Sequence, residues 1–108
     1  MDINSVCLSG ILQDIGVNAS KSSEYPVVEA RLLVNNGTKK KEKLISSINI
    51  RSYGKKSMFF VSLKEGDFIV IEGHLVEDKC VNSHTNKMQV RHYVDIEKVK
   101  SLTLEGEN

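Results

Sequence analysis

The chain has 108 residues, of which 40% are hydrophobic and 27% charged, and its formal net charge is +1. This length suits one domain with a single modest core. No apolar run approaches the roughly 20 residues of a membrane-spanning helix, and the opening residues do not have the pattern of a secretory signal. We therefore expect a protein that is neither secreted nor membrane-bound, in which Cys7 and Cys80 are reduced thiols.

Five segments alternate apolar and polar residues with the period of a β-strand. They are residues 3–12, 27–36, 46–56, 68–78 and 88–99. A polar loop follows the second segment, and Asn36-Gly37 is its turn signal. In the fourth segment Ile69, Ile71 and Leu75 are expected to share one face, with Gly73 leaving room for a sharp bend.

A short helix is predicted between the third and fourth strands. Apolar residues recur at helical spacing between residues 58 and 63, and Gly66 is a plausible end. We expect all three phenylalanines, Phe59, Phe60 and Phe68, to lie in the core. The order strand, strand, strand, short helix, strand, strand is that of the OB-fold, a five-stranded Greek-key barrel in which closure removes the exposed sheet edges.

The prediction is therefore an all-β domain over residues 1–104, followed by a flexible C-terminal end at residues 105–108.

Positive charge is concentrated in one part of the sequence. Residues 39–56 contain seven Lys or Arg residues and one acidic residue, Glu42, whereas the segments on either side have a net negative charge. This segregation favours a polyanionic partner. The alternative is a hairpin tip whose lysines are simply solvated, and the charge pattern alone leaves both interpretations open.

The third strand presents two different faces. Ile48 and Ile50 are expected to point into the core, while Asn49, Arg51 and Tyr53 point outward. A single-stranded nucleic acid needs cations for its phosphates and flat groups for its bases, and Arg can serve both purposes. The alternative is an ordinary polar surface with Tyr53 packed beneath the helix.

Three motifs carry a resemblance to a known family. The segment INSVCLSGIL has the form N-x-V-x-L-x-G-x-L, YGKK closes the third strand with an aromatic-Gly-Lys sequence, and LKEGDFIVIEGHL contains G-D-x-I-x-I-E-G-x-L. In order and spacing, over residues 3–102, these resemble the bacterial-type single-stranded DNA-binding proteins. The resemblance implies a non-enzymatic, sequence-tolerant binder of single-stranded DNA in replication, repair or recombination, located in a bacterial cytoplasm or an organelle.

The sequence also departs from that family. It contains no Trp, and Thr38, Ser47 and Cys80 occupy places where family members often have stacking rings, so that only Tyr53 retains one. The long tail of the family is also missing, so the chain resembles a short, tailless member. The resemblance further implies a homodimer or homotetramer assembled through the first strand, and it leaves RNA binding and the partner proteins open.

The predicted nucleic-acid contacts form one face and two rims. The face is Arg31, Asn49, Arg51 and Tyr53; the first rim is Lys39, Lys40, Lys41, Lys43, Lys55 and Lys56; the second is Lys79, Lys87 and Arg91. We predict no catalytic residues and no cofactor. We also predict no metal ligands, because Cys80, His84 and His92 lack the spacing of a closed zinc site. Glu77-Asp78 is interpreted as a solvated hairpin flank.

A competing hypothesis is an OB-fold protein-interaction module, of primosomal or organellar type, in which nucleic-acid binding is weak or lost.

Overall fold

The computed structural model describes residues 1–20 and 22–103, in which five β-strands close into a barrel. The strands are β1 (Val6–Asn18), β2 (Val27–Lys39), β3 (Glu42–Ser52), β4 (Phe68–Val81) and β5 (Met88–Ser101). A 3-10 turn at Gly54–Lys56 leads into the short helix α1 (Ser57–Val61) between β3 and β4. The strands close in the order β1-β2-β3-β5-β4, which confirms the predicted OB-fold. The predicted flexible end at residues 105–108 lies outside the described residues.

The core draws apolar residues from all five strands and from α1. Its members are Leu12, Val28, Ala30, Leu32, Ile50, Phe60, Ile69, Ile71, Val94 and Ile96. The prediction that all three phenylalanines lie in the core is wrong for two of them, because Phe59 and Phe68 are exposed. Phe59 lies beside Phe60 on a helix of little more than one turn, and Phe68 alternates with the inward-facing Ile69.

Gly73 lies where the backbones of β4 and β5 approach closely. The register between β4 and β5 shifts between Glu72 and Gly73, and a Cβ atom at Gly73 would lie 2.0 Å from the backbone oxygen of Asp95. Leu75 alternates with Ile69 and Ile71 as predicted and pairs with the buried Val94. It is nevertheless exposed, because the ladder of β4 with β1 ends at Gly73.

Two hairpins extend beyond the closed part of the sheet. Residues 76–81 and 88–93 pair only with each other within the described chain, and we call them the β4–β5 arm. Within the described chain, residues 34–39 and 42–46 likewise pair only with each other and form the β2–β3 arm. Each strand of an arm pairs with one neighbouring strand, so its other edge remains open to a ligand.

The turn of the β2–β3 arm lies at Lys40–Lys41, not at the predicted Asn36-Gly37. Both lysines adopt left-handed backbone angles, with φ of 50° and 68°. Asn36-Gly37 instead lies in a bulge, where the register shifts between Asn35 and Thr38 and the Gly37 N–H donates to Asn35 Oδ1. Because Asn36-Gly37 forms this bulge and not the turn, β2 continues to Lys39.

β1 changes neighbours along its length. It pairs with β4 over Val6–Ile11 and with β2 over Ile11–Asn18. Within the described chain, residues 6–10 therefore have a ladder on one side only. Just before them, the Asn4 amide exchanges two 2.8 Å hydrogen bonds with the backbone of Leu75 and continues the contact with β4. No helix in residues 1–20 and 22–103 has the length and hydropathy to cross a bilayer.

Candidate nucleic-acid interface

A groove crosses the outer surface of β2 and β3 beside the β4–β5 arm. It consists of two adjoining hollows of about 450 and 400 Å³ that share Asn49, Arg91 and Tyr93. The first also contains Asp14, Gly16, Asn18, Glu29, Ala30 and Arg31, and the second contains Ser47, Ile48, Leu75, Val90 and His92. The structure thus brings Arg31 and Asn49 of the predicted face together with Arg91 of the predicted second rim.

Hydrogen bonds hold two polar side chains of this groove in place. The Nε of Arg31 donates to Ser47 Oγ at 2.8 Å, and its Nη1 lies 3.5 Å from Asp14 Oδ2. Arg31 nevertheless remains 53% exposed, so it can meet a ligand. Asn49 Nδ2 donates to the backbone oxygen of His92 at 3.3 Å, which ties β3 to the arm.

Arg51 is engaged by two carboxylates instead of facing solvent. Its Nε donates to Asp95 Oδ1 at 2.9 Å and its Nη1 donates to Asp78, leaving the side chain only 11% exposed. Its guanidinium carbon lies 5.1 Å from the ring centroid of Tyr53 and 4.5 Å from that of Tyr93. We call these five residues the Arg51 cluster. A phosphate would have to displace a carboxylate to reach Arg51, whose predicted role as a ligand contact stays a prediction.

The Arg51 cluster lies where the barrel closes. In the described chain the parallel ladder of β3 with β5 has two residue pairs, Ile50–Val94 and Arg51–Asp95, while Asp78 adds a contact from β4. Burial alone would lower the pKa of the Arg51 guanidinium, but hydrogen bonds from it to Asp78 and Asp95 raise that pKa above its ordinary value. Arg51 therefore stays charged, and its ion pairs reinforce a short ladder.

Tyr53 belongs to the same cluster, and the pKa of its phenol reflects its contacts there. Its hydroxyl donates to Asp95 Oδ2 at 3.1 Å. Burial, together with the nearby Asp95 carboxylate, raises the pKa of Tyr53 to about 12 from an ordinary value of 10. We expect an ultraviolet titration of the native protein, minus that of Tyr53→Phe, to show a phenol that ionises near pH 12. A difference curve centred near pH 10 would contradict this assignment.

The same shift makes stability depend on alkaline pH. Because the pKa of Tyr53 is higher in the folded chain, its contribution to the free energy of unfolding is fully present below about pH 10. It is lost as the pH rises through about 12. Urea unfolding across this range is expected to show a smaller loss of stability for Tyr53→Phe than for the natural chain. Parallel pH profiles would be the contrary result.

The predicted lysines lie at the ends of the interface. Lys39, Lys40, Lys41 and Lys43 are exposed at the tip of the β2–β3 arm, and Lys79 and Lys87 are exposed towards the tip of the β4–β5 arm. Lys55 and Lys56 are also exposed, but they follow the opposite end of β3, which spans roughly 30 Å at the usual rise per residue. The positive segment thus forms two separate groups and not one patch.

Several residues of the interface were missed by sequence reasoning. Tyr93 lines both hollows, and Asp95 and Asp78 hold Arg51. Asp78, interpreted as part of a solvated flank, is 43% exposed and is also an ion-pair partner of Arg51. The available signal was the alternation of Arg91, Tyr93 and Asp95 along β5, which matches the outward row of β3.

The groove offers donors, acceptors and rings to a ligand. Within residues 1–20 and 22–103, no group of three or more His, Cys, Asp or Glu residues is arranged to hold a metal ion. The groove offers amide and guanidinium donors, carboxylate acceptors and the rings of Tyr93 and His92. Such a set suits a ligand with polar edges and flat faces.

No family model matches this chain, and no curated protein matches it. The resemblance to the single-stranded DNA-binding proteins therefore rests on the three sequence motifs, and membership of that family stays a prediction. What is established is the closed OB-fold barrel and the groove across its β2–β3 face.

Proposed function

We propose that this protein binds single-stranded DNA, without sequence selection and without catalysis, in support of replication, repair or recombination. The binding site is the groove beside the β4–β5 arm, and the compartment is a bacterial cytoplasm or an organelle. The observation that carries the proposal is the open groove on β2 and β3, flanked by arms with lysines at their tips. Barrels of this fold bind oligonucleotides on the corresponding face.

The arms supply the long-range attraction. Four exposed lysines lie at one tip, Lys39, Lys40, Lys41 and Lys43, and two lie towards the other. A phosphate chain that crosses the groove passes between these two groups. Each phosphate that a lysine neutralises releases counterions, so the logarithm of affinity falls with that of salt concentration by roughly 0.7 per contact for single strands.

The backbone at Lys40 and Lys41 also supports a role in binding. Both residues adopt left-handed angles, which cost an L-residue roughly 1–2 kcal/mol each and which Asn-Gly adopts with little penalty. Retaining two lysines in this turn lowers stability locally. Backbone strain of this kind occurs preferentially at functional positions, and here it keeps two charges at the end of the interface.

The direct test is a titration of labelled oligo-dT by fluorescence anisotropy at two salt concentrations. Unlabelled duplex DNA and oligo-U serve as competitors, the second to measure the preference between DNA and RNA. We expect binding at low salt that weakens on salt addition, and much weaker competition by the duplex. Absence of binding at low salt, or equal competition by duplex and single strand, would overturn the proposal.

We further propose that the protein forms a homodimer or homotetramer through β1. Residues 6–10 have a ladder on one side only within the described chain, and an open strand edge is a template for pairing. Light scattering should give two or four times the 12.1 kDa chain mass. Because edge lysines oppose pairing, Cys7→Lys with Ser9→Lys should lower this multiple. A monomer in the natural protein at micromolar concentration would contradict it.

This edge also separates the two candidate functions. If the protein were an interaction module that does not bind nucleic acid, substitutions in the groove would leave its biological activity intact, whereas Cys7→Lys with Ser9→Lys would abolish it. If the protein binds nucleic acid as proposed, substitutions in the groove and at the β1 edge should both reduce its biological activity.

A further inference from the structure

The ring of Tyr93 lies in the groove against the Arg51 guanidinium. It lines both hollows, and the Arg51 guanidinium lies 4.5 Å from its centroid. That guanidinium is fixed by Asp95 and Asp78. An aromatic side chain that is already ordered loses little conformational freedom when a ligand binds, so the ring is preorganised for stacking.

The charged side chains in the first hollow of the groove balance one another. Asp14 and Glu29 line it together with Arg31 and Arg91, and Asp14 already partners Arg31 at 3.5 Å. The lysines of the two arms lie outside it, at the arm tips. Because the arm tips have an excess of positive charge and the hollow does not, a phosphodiester backbone is favoured along the arms, while the carboxylates and amides of the groove match the polar edges of bases.

We infer that the groove takes the bases of a bound strand, with its phosphates outside, and that Tyr93 is the ring on which a base stacks. This inference rests on the proposed function and adds the orientation of the ligand to it. Tyr53, the ring that the sequence analysis selected, does not line either hollow. Its hydroxyl is held by Asp95, and its role is to support Arg51.

Two single-tryptophan variants test which ring meets the bases. The natural chain has no Trp, so each variant reports on one position only, and Tyr53→Trp is the matched control for Tyr93→Trp. We expect saturating oligo-dT to quench the fluorescence of Tyr93→Trp strongly, because a stacked base quenches an indole, and to leave that of Tyr53→Trp nearly unchanged. Quenching of Tyr53→Trp alone would overturn the inference.

Affinity measurements provide an independent test. Tyr93→Leu keeps an apolar side chain without the ring and should lower oligo-dT affinity about fivefold to 150-fold, the range for one stacked base. Tyr93→Phe, which retains the ring, should bind as the natural protein does. Thermal melting of each variant shows whether it is folded, and the tryptophan and ligand comparisons stand even if Tyr93→Leu unfolds.

The ligand itself can be varied on the natural protein. An abasic oligonucleotide of equal length has the phosphates without the bases, so it should bind much more weakly than oligo-dT. If it binds equally well, the inference about bases is overturned while the proposed function stands. If neither oligonucleotide binds at low salt, the proposed function itself falls.

Discussion

Reversing two charges at the tip of the β2–β3 arm, with Lys40→Glu and Lys41→Glu, is expected to lower the affinity for oligo-dT by about tenfold per lysine at low salt. A unit charge about 4 Å from a phosphate is worth about 1 kcal/mol in water. Reversal both removes an attraction and adds a repulsion, while salt screens part of the effect. Fluorescence anisotropy at two salt concentrations measures the loss, which should shrink as salt is added.

The matched control reverses two lysines on another part of the barrel. Lys98 and Lys100 are exposed on β5 opposite Glu72 and Val70 of β4, and they do not line the groove. Lys98→Glu with Lys100→Glu changes the net charge equally but should barely alter affinity. An equal loss in both variants would mean that overall charge, and not the arm tip, governs binding.

A second variant of the same turn separates charge from backbone conformation. Lys40→Asn with Lys41→Gly places the favoured sequence of a type I′ turn at two left-handed positions. We expect the free energy of unfolding to rise by about 1–2 kcal/mol, because strain is relieved, while oligo-dT affinity falls. Urea unfolding and anisotropy measure the two effects. Higher stability without any loss of affinity would show that these lysines are only solvated.

Replacing Arg51 by Leu is expected to lower the free energy of unfolding by about 3 kcal/mol, the lower end for breaking a buried ion pair, because Asp78 is partly exposed. The loss leaves Asp95, itself largely buried, without its cationic partner. It also removes the contacts of Arg51 with Tyr53 and Tyr93 at the short junction of β3 and β5. Urea unfolding monitored by circular dichroism measures the change.

The control variant for Arg51→Leu is Arg31→Leu. Arg31 pairs with Asp14 at 3.5 Å, with both side chains more than half exposed, and exposed pairs of this kind contribute at most about 1 kcal/mol. Its substitution should therefore cost little stability but weaken oligo-dT binding. If the two variants lost equal stability, the Arg51 cluster would not be the element that closes the barrel.

The strand pattern could be predicted because it depends on neighbouring residues. Alternation placed Ile50, Ile69 and Ile71 correctly in the core, and Gly73 lies at a register shift of the sheet. The errors arose where tertiary structure overrides a local signal. Asn36-Gly37 is a strong turn sequence, yet here it forms a bulge, and Leu75 alternates correctly but is exposed because the ladder of β4 with β1 ends at Gly73.

The interface could be predicted only in part, for a related reason. Arg31 and Asn49 lie directly opposite each other on paired strands of one hairpin, so the sequence brings them together. Asp95 meets Arg51 across a parallel pairing of β3 with β5, 44 residues apart. Barrel closure determines that register, and local sequence does not report it. The sequence therefore did not indicate which carboxylates pair with Arg51, or that the ring of Tyr93 lies beside it. Both became visible only in the folded structure.

The most direct test of the account is a map of amide chemical-shift changes on adding oligo-dT to the isotope-labelled protein. We predict the largest changes at Arg31, Asn49 and Tyr93 and at the tip of the β2–β3 arm, with little change around Val70 and Lys98. Changes concentrated on β4 and β5 around those last two residues, or none at a saturating concentration, would contradict binding in the groove.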